Sequence, residues 1–144
     1  MQAYEFLDGI ALADVAFRAT GETVDELFDA AADALLAAMV GDPASVRPAR
    51  RETLALAAPE LDRLLFAFLN ELVFRKDARR LFLRPTGLRT SQTGGGWRAE
   101  AELAGEPIAR GRHALRADVK AVTLHRFEIR QTDAGWEATV VLDV

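Results

Sequence analysis

The sequence contains no cysteine, no long apolar run and very little lysine. Without cysteine, the chain has no disulfide bond, no thiolate-bound metal and no cysteine nucleophile. No apolar run approaches the roughly 18 to 20 residues that a membrane-spanning helix requires. The first five residues, MQAYE, lack the basic start and the apolar core of a signal peptide. We therefore expect a cytoplasmic protein that is not inserted in a membrane.

Acidic residues outnumber basic residues, 22 to 18. The net formal charge is −4 and the isoelectric point is near 5.2. This balance argues against a domain that holds nucleic acid mainly by neutralising phosphates, so any RNA would be held by a partner. Only two of the 18 basic residues are lysines, Lys76 and Lys120. Lysine is a compact cation whose pKa shifts more readily than that of arginine, which makes Lys120 a candidate functional residue.

The remaining composition is that of an ordinary globular protein. Half of the residues are apolar and 28% are charged, which is too hydrophobic for a disordered chain. A chain of 144 residues has the usual size of one domain with one core. We expect a single domain over residues 1–144.

Periodicity predicts the elements of that domain. Residues 4–7 and 15–20 have strand patterns, and a capping box at residues 23–26 predicts a helix that ends near Val40. Residues 46–56 are predicted to form a strand, and a second helix begins around Pro59.

From residue 81 onward the turn signals recur about every ten residues, as in strands joined by hairpins. Residues 93–96 are a predicted hairpin tip, and residues 105–107 a predicted break between strands. Two further strands are predicted at residues 119–131 and 136–143. This order predicts an α+β fold in which a mainly antiparallel β-sheet is covered by two α-helices.

Two charged surfaces admit both structural and functional interpretations. Asp25, Asp29 and Asp33 lie on one face of the first helix, where we expect a solvated surface rather than a site for a basic partner. Basic residues cluster where the second helix ends, and the cluster either complements the helix dipole or faces RNA or an acidic partner. Its members are Arg75, Lys76, Arg79, Arg80 and Arg84.

Nucleophilic chemistry has little support in the sequence. Ser45 and Ser91 lie in turn-like segments without a nucleophile-elbow motif, which disfavours a serine hydrolase. His113 and His125 lack metal-ligand spacing, so we expect His113 to be exposed or structural and His125 to be half-buried in a strand.

Hard oxygen donors are better represented. Asp8, Asp14, Asp118 and Asp143 lie at predicted strand ends, and Val144 adds a terminal carboxylate. Converging carboxylates repel one another unless a cation or Lys120 neutralises them. Because calcium and magnesium prefer oxygen ligands, a Ca²⁺ or Mg²⁺ site is one hypothesis. The alternative is that each aspartate is a turn or cap residue.

A set of motifs, in order along nearly the whole chain, resembles the archease family. The most specific are the Asp118-Val119-Lys120-Ala121-Val122-Thr123-Leu124-His125 segment and the Asp143-Val144 end. The other matching segments are residues 4–8, 13–15, 23–26, 64–72, 105–107, 112–113 and 141–142. Archeases are small α+β proteins that act as cofactors of the RtcB-type RNA ligase in tRNA splicing and RNA repair.

The resemblance implies a function and a site. The protein would promote guanylylation of the ligase histidine, and so multiple turnover, without being an enzyme itself. By residue-by-residue resemblance, Asp14 and Asp143 would hold the metal with the Val144 carboxylate, and Lys120 matches the functional lysine of the family. The partner would be the RtcB-type ligase, with RNA contacted only through it.

One loop departs from the family pattern. The family commonly has Asp-His-Thr-Ala-Asp-Val-Gly, whereas this chain has two extra residues and no histidine between Asp8 and Asp14, and Ala16 replaces the glycine. The loop at residues 9–13 must therefore differ in shape, which leaves the role of Asp8 open. Two other functions remain as alternatives: a metal-binding or chaperone-like interaction module for a different partner, and a carboxylate-based metal hydrolase.

Overall fold

The computed structural model describes residues 2–7 and 14–144, with only the backbone described at Asp14. Two α-helices and seven β-strands make up the described part. The strands are β1 (Ala3–Leu7), β2 (Asp14–Gly21), β3 (Arg50–Ala58), β4 (Leu81–Thr93), β5 (Gly96–Pro107), β6 (Ala121–Thr132) and β7 (Gly135–Asp143). The helices are α1 (Val24–Met39) and α2 (Leu61–Arg79), with a short 3-10 turn at Pro43–Ser45.

All strand pairs between these elements are antiparallel, and they form two sheets rather than one. The four-stranded sheet has the order β1-β2-β7-β6, and the three-stranded sheet has the order β3-β5-β4. Both helices touch both sheets, since α1 packs on β2 and β4 while α2 packs on β6, β4, β3 and β5. The predicted α+β class is confirmed, and the expectation of a single sheet is wrong.

The first helix is the centre of the core. The Thr23 hydroxyl accepts from the Glu26 N–H at 3.1 Å, and the Glu26 carboxylate accepts from the Glu22 N–H at 3.0 Å, which confirms the predicted start. Every residue from Ala34 to Met39 is buried, so the C-terminal part of α1 is enclosed on all sides. Phe28 of α1 meets Phe68 of α2 at 5.5 Å between ring centroids. Each such buried ring contributes on the order of 2 kcal/mol to stability.

Three predicted boundaries differ from the structure. The third strand begins at Arg50 instead of residue 46, and α2 begins after Pro59 with Glu60 as its N-cap. Residues 105–107 belong to β5 and form no break. Gly105 is required there because a Cβ at this position would collide with the Phe82 carbonyl of β4. The predicted tip at residues 93–96 is confirmed as the β4–β5 hairpin.

Neither helix in the described part of the chain is long and apolar enough to cross a bilayer.

Candidate functional site

Two predicted site aspartates are cross-strand partners at one end of the four-stranded sheet. The register pairs Asp14 of β2 with Asp143 of β7, and Asp143 is paired on its other side with Ala121 of β6. The N–H of Lys120 donates to the Asp143 carbonyl at 2.8 Å. The backbone therefore brings positions 14, 120 and 143 to one corner, although they come from both ends of the chain.

The Asp143 and Lys120 side chains are accessible at this corner. Both residues are exposed, and within the described part of the chain neither forms an ion pair. The side chain of Val144 is half-buried and packs against the core. A carboxylate and an ammonium group in this state can both contact an external ligand.

The predicted metal ligands are only partly described. Among the described side chains, no group of three or more histidine, cysteine, aspartate or glutamate residues could hold a metal ion. The Asp14 side chain, all of Asp8 and the loop at residues 9–13 lie outside the described residues. The metal site therefore remains a prediction that the backbone register makes geometrically reasonable.

Asp118 is engaged elsewhere, which removes it from the predicted cluster of strand-end carboxylates. Its carboxylate accepts from the Lys76 ammonium at 2.8 Å, and this hydrogen bond and charge lower the pKa of Asp118. Lys76 is only 4% exposed and also donates to the Val119 carbonyl at 2.6 Å. A second ion pair joins Lys76 to Asp77 at 2.9 Å.

Helix α2 thereby fixes the backbone on both sides of Lys120. Lys76 binds residues 118 and 119, and the Asn70 side chain binds residue 122 in both directions. The Asn70 amide oxygen accepts from the Val122 N–H at 2.9 Å, while its amide nitrogen donates to the Val122 carbonyl at 3.3 Å. Sequence reasoning missed both positioning residues. The one available signal was that Lys76 is one of only two lysines.

Most of the basic cluster at the end of α2 is neutralised internally. Arg75 is buried and pairs with Glu71 at 2.7 Å and with Glu52 at 3.1 Å. Arg79 also pairs with Glu52. Arg84 pairs with Asp33 at 3.2 Å, and Lys76 with Asp118. These four residues form ion pairs within the fold, which neither the dipole interpretation nor the partner interpretation predicted. Only Arg80 of the cluster has no ion pair with a described residue.

The acidic face of α1 is not the solvated surface that we predicted. It packs against β4, where the Thr90 N–H donates to Asp25 at 2.8 Å and Arg84 pairs with Asp33. Asp29 lies half-buried between these two aspartates. Desolvation, followed by repulsion from Asp33 and Asp25, raises its pKa to about 6.

The two histidines have different roles from each other. His113 is buried, accepts from the Ala109 N–H at 3.0 Å through Nδ1 and contacts Glu106 at 2.8 Å through Nε2. Burial, followed by the charges of Arg112 and Arg47, lowers the pKa of His113, which fits a neutral structural imidazole. His125 is exposed on β6, so the expectation that it is half-buried is wrong.

Comparison with known proteins gives consistent similarities over the full domain. The model of the Archease protein family (MTH1598/TM1083) matches residues 4–144. Protein archease of Methanosarcina mazei is 32% identical over 142 residues, covering 98% of this chain and 95% of that protein.

Two solved structures are similar as well. The solution structure of Methanobacterium thermoautotrophicum protein 1598 superposes with a TM-score of 0.84 at 31% identity, with 98% of each chain covered. The crystal structure of an archease from Thermotoga maritima, described as a possible chaperone, gives a TM-score of 0.60 at 16% identity. It covers 92% of this chain and 91% of that chain, and at this identity it supports the fold alone.

Proposed function

Because this chain belongs to the archease family, we propose that it is a non-enzymatic cofactor of an RtcB-type RNA ligase. It would promote guanylylation and multiple turnover of the ligase in tRNA splicing or RNA repair. The observation that carries the proposal is the meeting of positions 14, 120 and 143 at one sheet corner. These are the positions that match the functional residues of the family.

The donor types at this corner suit a hard divalent cation, Ca²⁺ or Mg²⁺. Asp14 and Asp143 occupy directly paired positions on neighbouring strands, an arrangement that is unfavourable for two like charges without a counter-ion. Asp143 is exposed and has no cationic partner among the described side chains. In the proposal Asp14 and Asp143 hold the ion, together with a carboxylate from Val144. When bound, the ion would supply charge neutralisation beside the transferring phosphate.

The ligase step explains why a docked cation would help. In guanylylation an imidazole nitrogen of the ligase attacks the α-phosphorus of GTP, and pyrophosphate leaves with its negative charge. An ammonium group that is already positioned beside the leaving phosphates lowers the cost of this charge. Lys120 suits this role because its side chain is exposed while Lys76 and Asn70 fix the backbone on either side of it.

The test is the rate of covalent guanylylation of the cognate ligase with GTP and Mg²⁺, with and without a sub-stoichiometric amount of this protein. We expect stimulation by the native chain, loss of stimulation in Asp143→Asn, and full stimulation in Asp133→Asn. Asp133 is a matched control because it is an exposed aspartate in the turn at the other end of β7. No stimulation by the folded native chain would contradict the function, and full stimulation by Asp143→Asn would contradict the site.

A second candidate function is a chaperone-like interaction module for another partner. It is favoured by five exposed large apolar side chains among the described residues. These are Tyr4, Phe6, Phe74, Leu115 and Leu124. Suppression of the aggregation of an unfolded client, without any effect on ligase guanylylation, would select this function over the first.

A further inference from the structure

A small pocket with a basic rim lies where the C-terminal ends of both helices meet the segment before β6. Its volume is about 160 Å³. We call it the basic pocket, and define it by three arginines and three apolar residues of its lining: Arg80, Arg110, Arg116, Phe82, Ile108 and Leu115. The Lys76–Asp118 ion pair also borders it.

The charge of the basic pocket is unlike that of the rest of the molecule. Among the described side chains, which do not include that of Asp14, no carboxylate forms an ion pair with Arg80, Arg110 or Arg116. The one carboxylate in the lining, Asp118, is already bound by Lys76. The chain as a whole carries a net charge of −4. Three arginines that line one concavity, without an acidic partner among the described side chains, therefore give it a local positive potential that favours an anion.

The backbone that carries these arginines is held in place. Arg80 ends α2 in the left-handed conformation, with φ of 57°, and its carbonyl accepts from the Ile108 N–H at 2.9 Å. The Arg116 N–H donates to the Met39 carbonyl at 2.8 Å, and its guanidinium lies 6.0 Å from the centre of the Phe6 ring. Because the fold already holds this backbone in place, less conformational entropy is lost when a ligand binds, which favours affinity.

We propose that the basic pocket binds a phosphate group. Planar guanidinium groups match the oxygens of phosphate through paired hydrogen bonds, and arginine is favoured over lysine wherever this geometry matters. The volume of about 160 Å³ is below the roughly 300 Å³ at which drug-sized ligand pockets begin. One phosphate fits inside, while the remainder of any larger phosphate ester would extend over Leu115 at the rim.

This site goes beyond the proposed function, since it requires neither the ligase nor a metal. The basic pocket and the Asp14–Asp143 corner use different residues, although the segment from Arg116 to Lys120 connects them. A failure of one assignment therefore leaves the other standing, and each can be tested with the other site intact.

The primary test is an NMR titration of the isolated chain with inorganic phosphate against chloride at constant ionic strength. We expect saturable shifts in the arginine side-chain resonances and in the amides of residues 108–118. The double variant Arg110→Gln, Arg116→Gln should bind at least roughly tenfold more weakly, because two charge-assisted contacts are lost. The matched control is Arg63→Gln, which removes one positive charge from an exposed residue of α2 and should bind as the native chain does.

Two further binding measurements, with a short RNA and with AMP, identify the source of the phosphate. A short RNA with a terminal phosphate that binds more tightly than both its hydroxyl-ended form and inorganic phosphate points to a nucleic acid end. Equal affinity for inorganic phosphate and AMP points to free phosphate. Either result supports the site.

Three results would overturn the proposal: no saturable response to phosphate, equal binding by the native chain and the double variant, and equal competition by triglutamate, which would indicate an acidic protein surface instead. If the double variant does not fold, Arg110→Gln alone replaces it, because Arg110 is exposed in a turn.

Discussion

The Lys76 ammonium group lies 2.8 Å from the Asp118 carboxylate, so a buried cation of α2 is tied to the segment that leads into Lys120. The two residues differ greatly in burial, with Lys76 4% exposed and the Asp118 side chain 84% exposed. The pair therefore links the buried side of α2 to the surface segment beside the candidate site, and we call it the clamp. Its strength comes from the buried end, where Lys76 also satisfies the Val119 carbonyl.

We expect Lys76→Ala to lower the free energy of unfolding by about 2 kcal/mol, because it leaves the Val119 carbonyl without its donor and removes a buried stem. Urea denaturation measures this change. Arg63→Ala on the exposed part of the same helix is the control, with an expected effect within about 0.5 kcal/mol. Equal stability of Lys76→Ala and the native chain would contradict the clamp.

We expect Asp29→Asn to stabilise the protein near neutral pH by about 1 kcal/mol, a figure reduced for the half-exposed position of the carboxylate. The pKa of Asp29 is raised from 3.8 to about 6 by desolvation and by Asp33, Asp25 and Glu26, against the opposing effect of Arg84. The folded state thus binds the proton more tightly than the unfolded state. The destabilisation caused by ionising Asp29 is absent below about pH 4, grows between about pH 4 and 6, and is complete above about pH 6.

Urea denaturation of the native chain and Asp29→Asn at pH 4 and pH 7.5 tests this window. Asp62→Asn, at the first turn of α2, is a control for the removal of an aspartate charge from a helix. A gain of the same size at both pH values, or a loss at pH 7.5, would show that the Asp29 carboxylate is not the destabilising group.

We expect Ca²⁺ or Mg²⁺ to raise the melting temperature of the native chain and to leave that of Asp143→Asn unchanged. A ligand that binds only the folded state stabilises it by mass action, by about 2.7 kcal/mol at a hundredfold excess over Kd. Thermal denaturation with each metal and with EDTA gives the measurement. A metal-induced rise of equal size in Asp143→Asn would place the cation elsewhere on the molecule.

We expect Lys120→Gln to abolish stimulation of ligase guanylylation while the melting temperature stays within the error of the native value. The side chain is exposed, and its backbone hydrogen bond to Asp143 does not depend on the residue type. Lys120→Arg should retain part of the stimulation, since it keeps the charge. If Lys120→Gln stimulates the ligase as well as the native chain does, the ammonium group has no part in activation.

Local patterns predicted the elements of this fold well because their causes are local. The Thr23 cap and its Glu26 partner are three residues apart, and the β4–β5 hairpin turns at adjacent glycines. The predictions were wrong where contacts between segments distant in sequence determine which residues are buried. The spacing of the aspartates of α1 is typical of a solvent-exposed helix face. In the structure this face packs against β4, where Thr90 donates a hydrogen bond to Asp25 and Arg84 forms an ion pair with Asp33. Gly105 is a residue type typical of turns, but in the structure it lies within β5 and allows β5 to approach β4 closely.

The candidate site divides in the same way. Residue types and the family resemblance identified Asp14, Lys120 and Asp143, and the register then brought these three backbone positions together. The same resemblance contained Asn70 without indicating its role, which depends on a hydrogen bond to a strand 52 positions away. Lys76 and Asp118 are 42 positions apart, and the sequence offers no signal for their pairing.

By itself, the sequence determined the helix start, the hairpin, the α+β class and the chemical character of the corner residues, because propensity, capping and periodicity act over a few residues. Only the tertiary structure decided that the strands divide into two sheets, that Asp14 lies opposite Asp143, and that three arginines of the basic pocket are left without an acidic partner among the described residues. Those outcomes depend on which distant segments pack together, and burial and register across the whole chain set that choice.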